Sequence, residues 1–152
     1  MSEQQTAQKV DPRGLRFAAG VTTIVLALTL VLDNAWPLAV QAVVFAISVA
    51  VGVQASPYGL LFKRLIRPRL GPPNELEDAA PPRFAQLVGL VFAVAGLVGY
   101  LTGVTVLGVV ATGFALVAAF VNAAVGLCLG CEAYLLIHRI RTPNRLTNTA
   151  TN

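Results

Sequence analysis

Apolar residues in this chain come in four long runs separated by short polar punctuation. The runs cover about Pro12 to Leu32, Trp36 to Ala55, Pro82 to Leu101 and Val106 to Leu127. A helix needs about 20 mostly apolar residues to cross a hydrocarbon core. The pattern therefore predicts an all-α membrane protein with four transmembrane helices. Asp11 with Pro12, Asn34 and Thr105 are placed to cap three of these helices, and Pro81-Pro82 opens the third. The links Asp33-Asn34-Ala35 and Thr102-Gly103-Val104-Thr105 are long enough only for tight antiparallel hairpins.

The polar punctuation carries a sign. Lys9, Arg13 and Arg16 precede the first run. Lys63, Arg64, Arg67, Arg69 and Arg83 lie between the second and third, and Arg139, Arg141 and Arg145 follow the fourth. These are all eleven basic residues of the chain, and neither hairpin link holds one. Cytoplasmic loops collect Lys and Arg, so both termini are expected in the cytoplasm of a bacterial inner membrane. The first run is expected to stay as a helix and not to serve as a cleaved leader. No small-x-small site follows it, and the next apolar run begins within a few residues.

Composition agrees. Hydrophobic residues make up 56% of the 152 and charged residues 12%, against about 25% charged in soluble domains. One membrane domain is expected over residues 9–141, between disordered tails at 1–8 and 142–152. The net charge of +4 sits in short clusters between apolar runs, a pattern that suits anionic headgroups and not nucleic acid.

The chain reads as two related hairpins. Arg16-Phe17-Ala18 recurs as Arg83-Phe84-Ala85, and Ala50-Val51-Gly52 as Ala124-Val125-Gly126. The basic stretch from Tyr58 to Pro68 resembles that from Tyr134 to Pro143. Both halves start on one side, so the repeat is parallel, with its axis along the membrane normal. The segments Tyr58–Leu70 and Tyr134–Arg141 are expected to lie along the inner interface as short amphipathic helices, as anchors or as a docking platform. Between the halves runs an acidic, proline-rich linker, residues 71–82, whose Glu75, Glu77 and Asp78 are expected to be solvated. Ala95, Gly99 and Gly103 share one helical face, and Gly126 with Gly130 forms a second small pair. Such faces serve helix packing within a chain or the seam of a homodimer.

Few residues can carry chemistry. The four runs hold no Lys or Glu, and no Asp; the only Arg residues are those at their ends. The polar residues Gln41, Gln54, Gln86, Thr112 and Asn122 are expected to serve mainly as helix–helix hydrogen bonds. No cofactor and no metal ion is expected. His138 follows Cys131 by seven residues, about 10 Å along a straight helix, too far to share a metal.

The cysteines stand apart. Both fall in Gly126-Leu127-Cys128-Leu129-Gly130-Cys131-Glu132, near the cytoplasmic edge. That compartment is reducing, which argues against a permanent structural bridge. Reversible thiol chemistry, metal binding, or a pair of small packing residues remain open. In an unbroken helix, Cβ atoms at i and i+3 are about 5 to 6 Å apart, while a disulfide wants about 3.5 to 4.5 Å. A break near Gly126 to Gly130 would close that gap. It would also put Cys128 at a helix N-terminus, where thiolates are stabilised. A break is expected because the apolar run from Val106 to Ile137 would be about 48 Å long as a straight helix, well beyond a core of about 30 Å. Glu132 is a candidate proton acceptor or a partner for an inner arginine.

At these residues the sequence resembles a bacterial membrane family, domain of unknown function 4395. The resemblance lies in Asp11-Pro12-Arg13-Gly14, Arg16-Phe17-Ala18-Ala19-Gly20, Ser56-Pro57-Tyr58-Gly59-Leu60-Leu61-Phe62, Arg67-Pro68-Arg69-Leu70-Gly71-Pro72-Pro73, Pro82-Arg83-Phe84-Ala85-Gln86 and the stretch Asn122 to Cys131. It covers about residues 9–141. It implies an integral membrane protein. Because genes of the family often accompany thioredoxin-like or rhodanese-like proteins, the resemblance also implies, by association, a part in thiol or sulfur metabolism. The function expected is thus a membrane dithiol protein, with Cys128, Cys131 and Glu132 as candidate catalytic residues and a cytoplasmic thioredoxin-like or rhodanese-like partner. The alternative is a non-catalytic scaffold or a small-solute channel subunit.

Overall fold

The computed structural model describes residues 9–141; the expected tails lie outside the described residues. The long helices are α1 (Pro12–Leu32), α2 (Ala35–Val51), α5 (Ala80–Leu101) and α6 (Thr105–Val125). Three of them, α1, α5 and α6, are long and apolar enough to cross a membrane, and only about a fifth of each is buried within the protein. Ile24, Val31, Val91 and Phe114 are among the large apolar side chains facing outward. In water such faces would cost about 25 cal/mol for each Å² left wet; in lipid they cost nothing. The chain is an all-α membrane protein. The second expected span is shorter than the apolar run, because α2 stops at Val51 and is 17 residues long.

Local chemistry sets the ends. Asp11 caps α1 by accepting from the backbone N–H of Arg13, and Asn34 caps α2 by accepting from that of Trp36. Thr105 does not cap α6. Val104 holds the cap position without a side-chain bond, and Thr105 is already the first helical residue. The chain turns back earlier, at Gly103 with φ 82°.

Between the halves, a single 3-10 turn (Val53–Ala55) leads into α3 (Pro57–Leu61), a wider π turn (Phe62–Ile66) and α4 (Arg67–Leu70). Ser56 caps α3. The linker then forms a two-residue strand β2 (Glu77–Asp78), antiparallel to β1 (Lys9–Val10). Asp78 is exposed as expected, but it also meets Lys9 at 2.7 Å. After α6 the chain breaks and restarts as α7 (Leu129–Arg141).

Packing crosses the halves where α1 lies on α6 and α2 on α5, and α5 also lies on α6 within its own half. The core gathers Leu26, Leu38, Ala42, Phe45, Ala93 and Ala115. Gly99 faces the backbone of Gly108 with no room for a side chain, so α5 and α6 cross in close contact. Gly103 has no such neighbour; it serves the hairpin and not the packing face. Gly126 and Gly130 likewise do not form one face, since the first ends α6 and the second lies in α7.

Two arginines join the halves reciprocally. Arg16, on α1, donates to the carbonyls of Ala123 and Ala124, both at 3.2 Å. Arg83, on α5, donates to those of Val49 at 2.6 Å and Ala50 at 3.0 Å. Each guanidinium thus meets the last carbonyls of a helix in the other half, at its negative end.

Candidate functional site

The cysteine turn is built by a helix stop followed at once by a helix start. Gly126 has φ 76° and sends its N–H back to the carbonyl of Asn122. That left-handed geometry suits glycine, which has no Cβ to clash. Two residues later a new helix begins. Cys128 takes its N-cap place: its carbonyl accepts from the N–H of Glu132 at 3.0 Å, and its sulfur accepts from the N–H of Cys131 at 3.2 Å. The sulfur does what a Ser or Asp oxygen does at other helix starts, satisfying an orphan amide of the first turn.

The two sulfurs are joined in a disulfide across a Cα separation of 5.1 Å. Both cysteines are partly exposed. Gly130, between them, sits against Ala85 of α5; a Cβ there would fall 2.6 Å from the Ala85 Cβ. This contact docks α7, and with it the cysteine turn, on α5.

Glu132 occupies the first turn of α7, is exposed, and makes no ion pair with a described residue. His138 stacks on Tyr134, with ring centres 6.0 Å apart. Among the described residues no three His, Cys, Asp or Glu side chains gather into a metal-binding group.

The sequence did not reveal a cavity of about 800 Å³ beside the turn. Cys128, Cys131 and Glu132 line it, as do Thr22, Gln86, Asn122, Phe92 and Phe114. Of the five polar residues expected to bridge helices, one does so in the core. Gln41 donates to Thr22 at 3.2 Å and accepts from Tyr58 at 2.7 Å. Gln54 reaches the carbonyl of Lys9. Thr112 is fully buried without a hydrogen bond to a described residue. Gln86 and Asn122 instead line the cavity. No signal in a single sequence marks such a space, because it depends on how far apart helices stand.

A bundle of apolar helices with a Cys-x-x-Cys turn at a helix start and a cavity against it defines a membrane protein carrying a Cys-x-x-Cys disulfide. Residues 10–139 match the model of the family described as Domain of unknown function (DUF4395), and the chain belongs to that family. No curated protein and no solved structure matches it.

Proposed function

We propose that this chain is a redox-active dithiol protein of the bacterial inner membrane. It cycles Cys128 and Cys131 between dithiol and disulfide, passing reducing equivalents or a sulfane sulfur to or from a cytoplasmic thioredoxin-like or rhodanese-like partner. The observation that carries it is the place of the Cys128 sulfur, bonded to Cys131 and receiving its amide at the start of α7. When the bridge opens, a thiolate at Cys128 keeps that amide as a donor and faces the positive end of a helix. A dithiol partner opens the bridge by attacking it and is itself oxidised; in the opposite direction the Cys128 thiolate attacks a partner disulfide or persulfide, and Cys131 resolves the mixed species. Glu132, one residue on, accepts the proton of the resolving thiol.

In this proposal all four long helices span the bilayer. α2, with 17 residues, lies at the short end of the usual range of about 17 to 25. α3, α4 and α7 lie along the cytoplasmic interface with both termini on that side. The halves arose by duplication. Arg16 corresponds to Arg83, and the carbonyls they hold, at 123 and 124 and at 49 and 50, correspond in turn through the repeated Ala-Val-Gly at the helix ends.

The test is mass spectrometry of the protein in native membranes. After mild oxidation with diamide, Cys128 and Cys131 should be bridged; after a thiol reductant, both should be alkylated; and the cycle should repeat. Thiols inert to both reagents would leave a non-catalytic scaffold.

A further inference from the structure

We propose that the cavity beside the dithiol binds the ring of a membrane quinone, which accepts the two electrons released when the Cys128–Cys131 bridge forms. The electron transfer rests on the redox role proposed above, whereas the binding site stands on the cavity itself. Its volume, about 800 Å³, falls among pockets that bury organic ligands, about 300 to 1,000 Å³. A second opening is far smaller. On the first half of the bundle, the Phe62 side chain is 4% exposed and lies against Gly14, and the space there shrinks to about 50 Å³.

The lining is graded. Asn122 sits one turn before the Gly126 stop, and its carbonyl receives the Gly126 N–H. Gln86 follows Ala85, the residue that Gly130 touches. Both residues therefore lie at the cysteine end of the cavity. Neither side chain makes a hydrogen bond to a described residue. Phe92 is six residues beyond Gln86, about 9 Å further along α5, and Phe114 lies eight residues before Asn122 on α6. The far end of the cavity is apolar. Thr22 adds a third polar group, since its oxygen accepts from Gln41 and its own O–H donates to no described residue.

A ligand that fits has acceptor oxygens at its head and a hydrocarbon tail. A bare acyl chain would leave Gln86, Asn122 and Thr22 unpaired. A quinone presents two carbonyl oxygens to these donors and its isoprenoid tail to the phenylalanines. It also balances the chemistry. Two thiols lose two hydrogens and form one S–S bond, and the quinone gains two electrons and two protons to become the quinol. The ring carbonyls end as hydroxyls, and no oxidant besides the quinone is needed.

The experiment uses the full chain, reduced and desalted, in nanodiscs of phosphatidylethanolamine and phosphatidylglycerol, with decylubiquinone as the probe. Saturable binding is expected, with quinone absorbance lost as thiols disappear in a ratio of one quinone to two thiols. Gln86→Leu and Asn122→Leu should each weaken binding about tenfold, the effect of one hydrogen bond. Ala118→Phe, which fills the cavity, should weaken it as well. The Cys128→Ser/Cys131→Ser variant should still bind quinone. Binding no greater than partition into empty nanodiscs would overturn the site. So would full affinity in both leucine variants, or a co-purifying phospholipid that decylubiquinone fails to displace. If diamide closes the bridge and decylubiquinone neither binds nor oxidises it, the quinone proposal fails and the dithiol role stands. If the quinone binds and neither reagent closes the bridge, the site stands and the redox role fails.

Discussion

Gly130 and Ala85 touch so closely that no side chain fits between them. This contact holds α7, and with it the dithiol turn, against α5. Gly130→Ala should therefore push the two helices apart although Ala favours helix over Gly by about 1 kcal/mol. Overpacking costs about 1 to 3 kcal/mol, so a net loss of stability is expected. Thermal unfolding in detergent checks it, and bridge formation should slow in the same variant. Gly113, which has open space around it, is the control: Gly113→Ala should be neutral or stabilising.

Arg16 and Arg83 each hold the carbonyl end of a helix in the opposite half. Charged hydrogen bonds of this kind contribute about 1.5 to 3 kcal/mol where they are sheltered; these arginines are exposed, so about 1 kcal/mol or less each is expected after solvent screening. Arg16→Ala and Arg83→Ala should cost similar amounts, and Lys at either place should restore part of the loss. Denaturation in mixed detergent measures all four variants. A large cost at one site and none at the other would count against the duplication.

Asp11 links folding to pH. It caps α1 and pairs with Arg13 at 2.9 Å, and the hydrogen bond from Arg13 holds its carboxyl below the ordinary value of 3.8. The folded protein thus binds the proton less readily than the unfolded chain. The stabilisation is complete above the ordinary carboxylate value and fades as pH falls through the lowered folded one. Unfolding of the wild type should become easier over that acid range. Asp11→Asn keeps a capping oxygen and should flatten the dependence there.

The side of the membrane is open to direct measurement. Reporter fusions at residue 75 and at the C-terminus should both register cytoplasm, and one at Gly103 should register the far side. A fusion at residue 75 on the far side would refute the four-span arrangement.

What could be read in advance was local. Asp11-Pro12 and Asn34 cap as their sequence context implies, because a cap depends on residues two or three apart. The stop at Gly126 and the restart before Cys131 follow from excess apolar length and two glycines. The early end of α2 escaped notice, since apolar residues continue past Gly52 and only its φ of 101° marks the break. Thr105 looked like a cap because its type is right, yet the turn at Gly103 leaves it inside the helix. Contacts such as Arg83 to Val49 join distant residues, and the cavity depends on the spacing of four helices. Neither leaves a trace in local pattern.

The two cysteines should also differ in reactivity once reduced. Among the described residues only the Cys128 sulfur receives a backbone amide, that of Cys131, and it holds the N-cap place of α7. Cys131 sits inside the first turn, where its own N–H is already spent on that bond. A thiolate is the reactive form, and the amide and the helix N-terminus both favour it at Cys128. In the Cys131→Ser variant, Cys128 should therefore react with iodoacetamide at neutral pH faster than Cys131 does in the Cys128→Ser variant. A difference of about tenfold corresponds to about 1.4 kcal/mol, within reach of one charge-assisted hydrogen bond. Timed alkylation followed by peptide mass spectrometry reads both rates, and it should be run in nanodiscs so that bilayer access is the same for the two variants. Raising the pH should narrow the gap, because both thiols then ionise. If Cys131 proves the faster at neutral pH, the assignment of Cys128 as the attacking sulfur is reversed. A gap that stays constant with pH would point to unequal access and not to thiolate stabilisation.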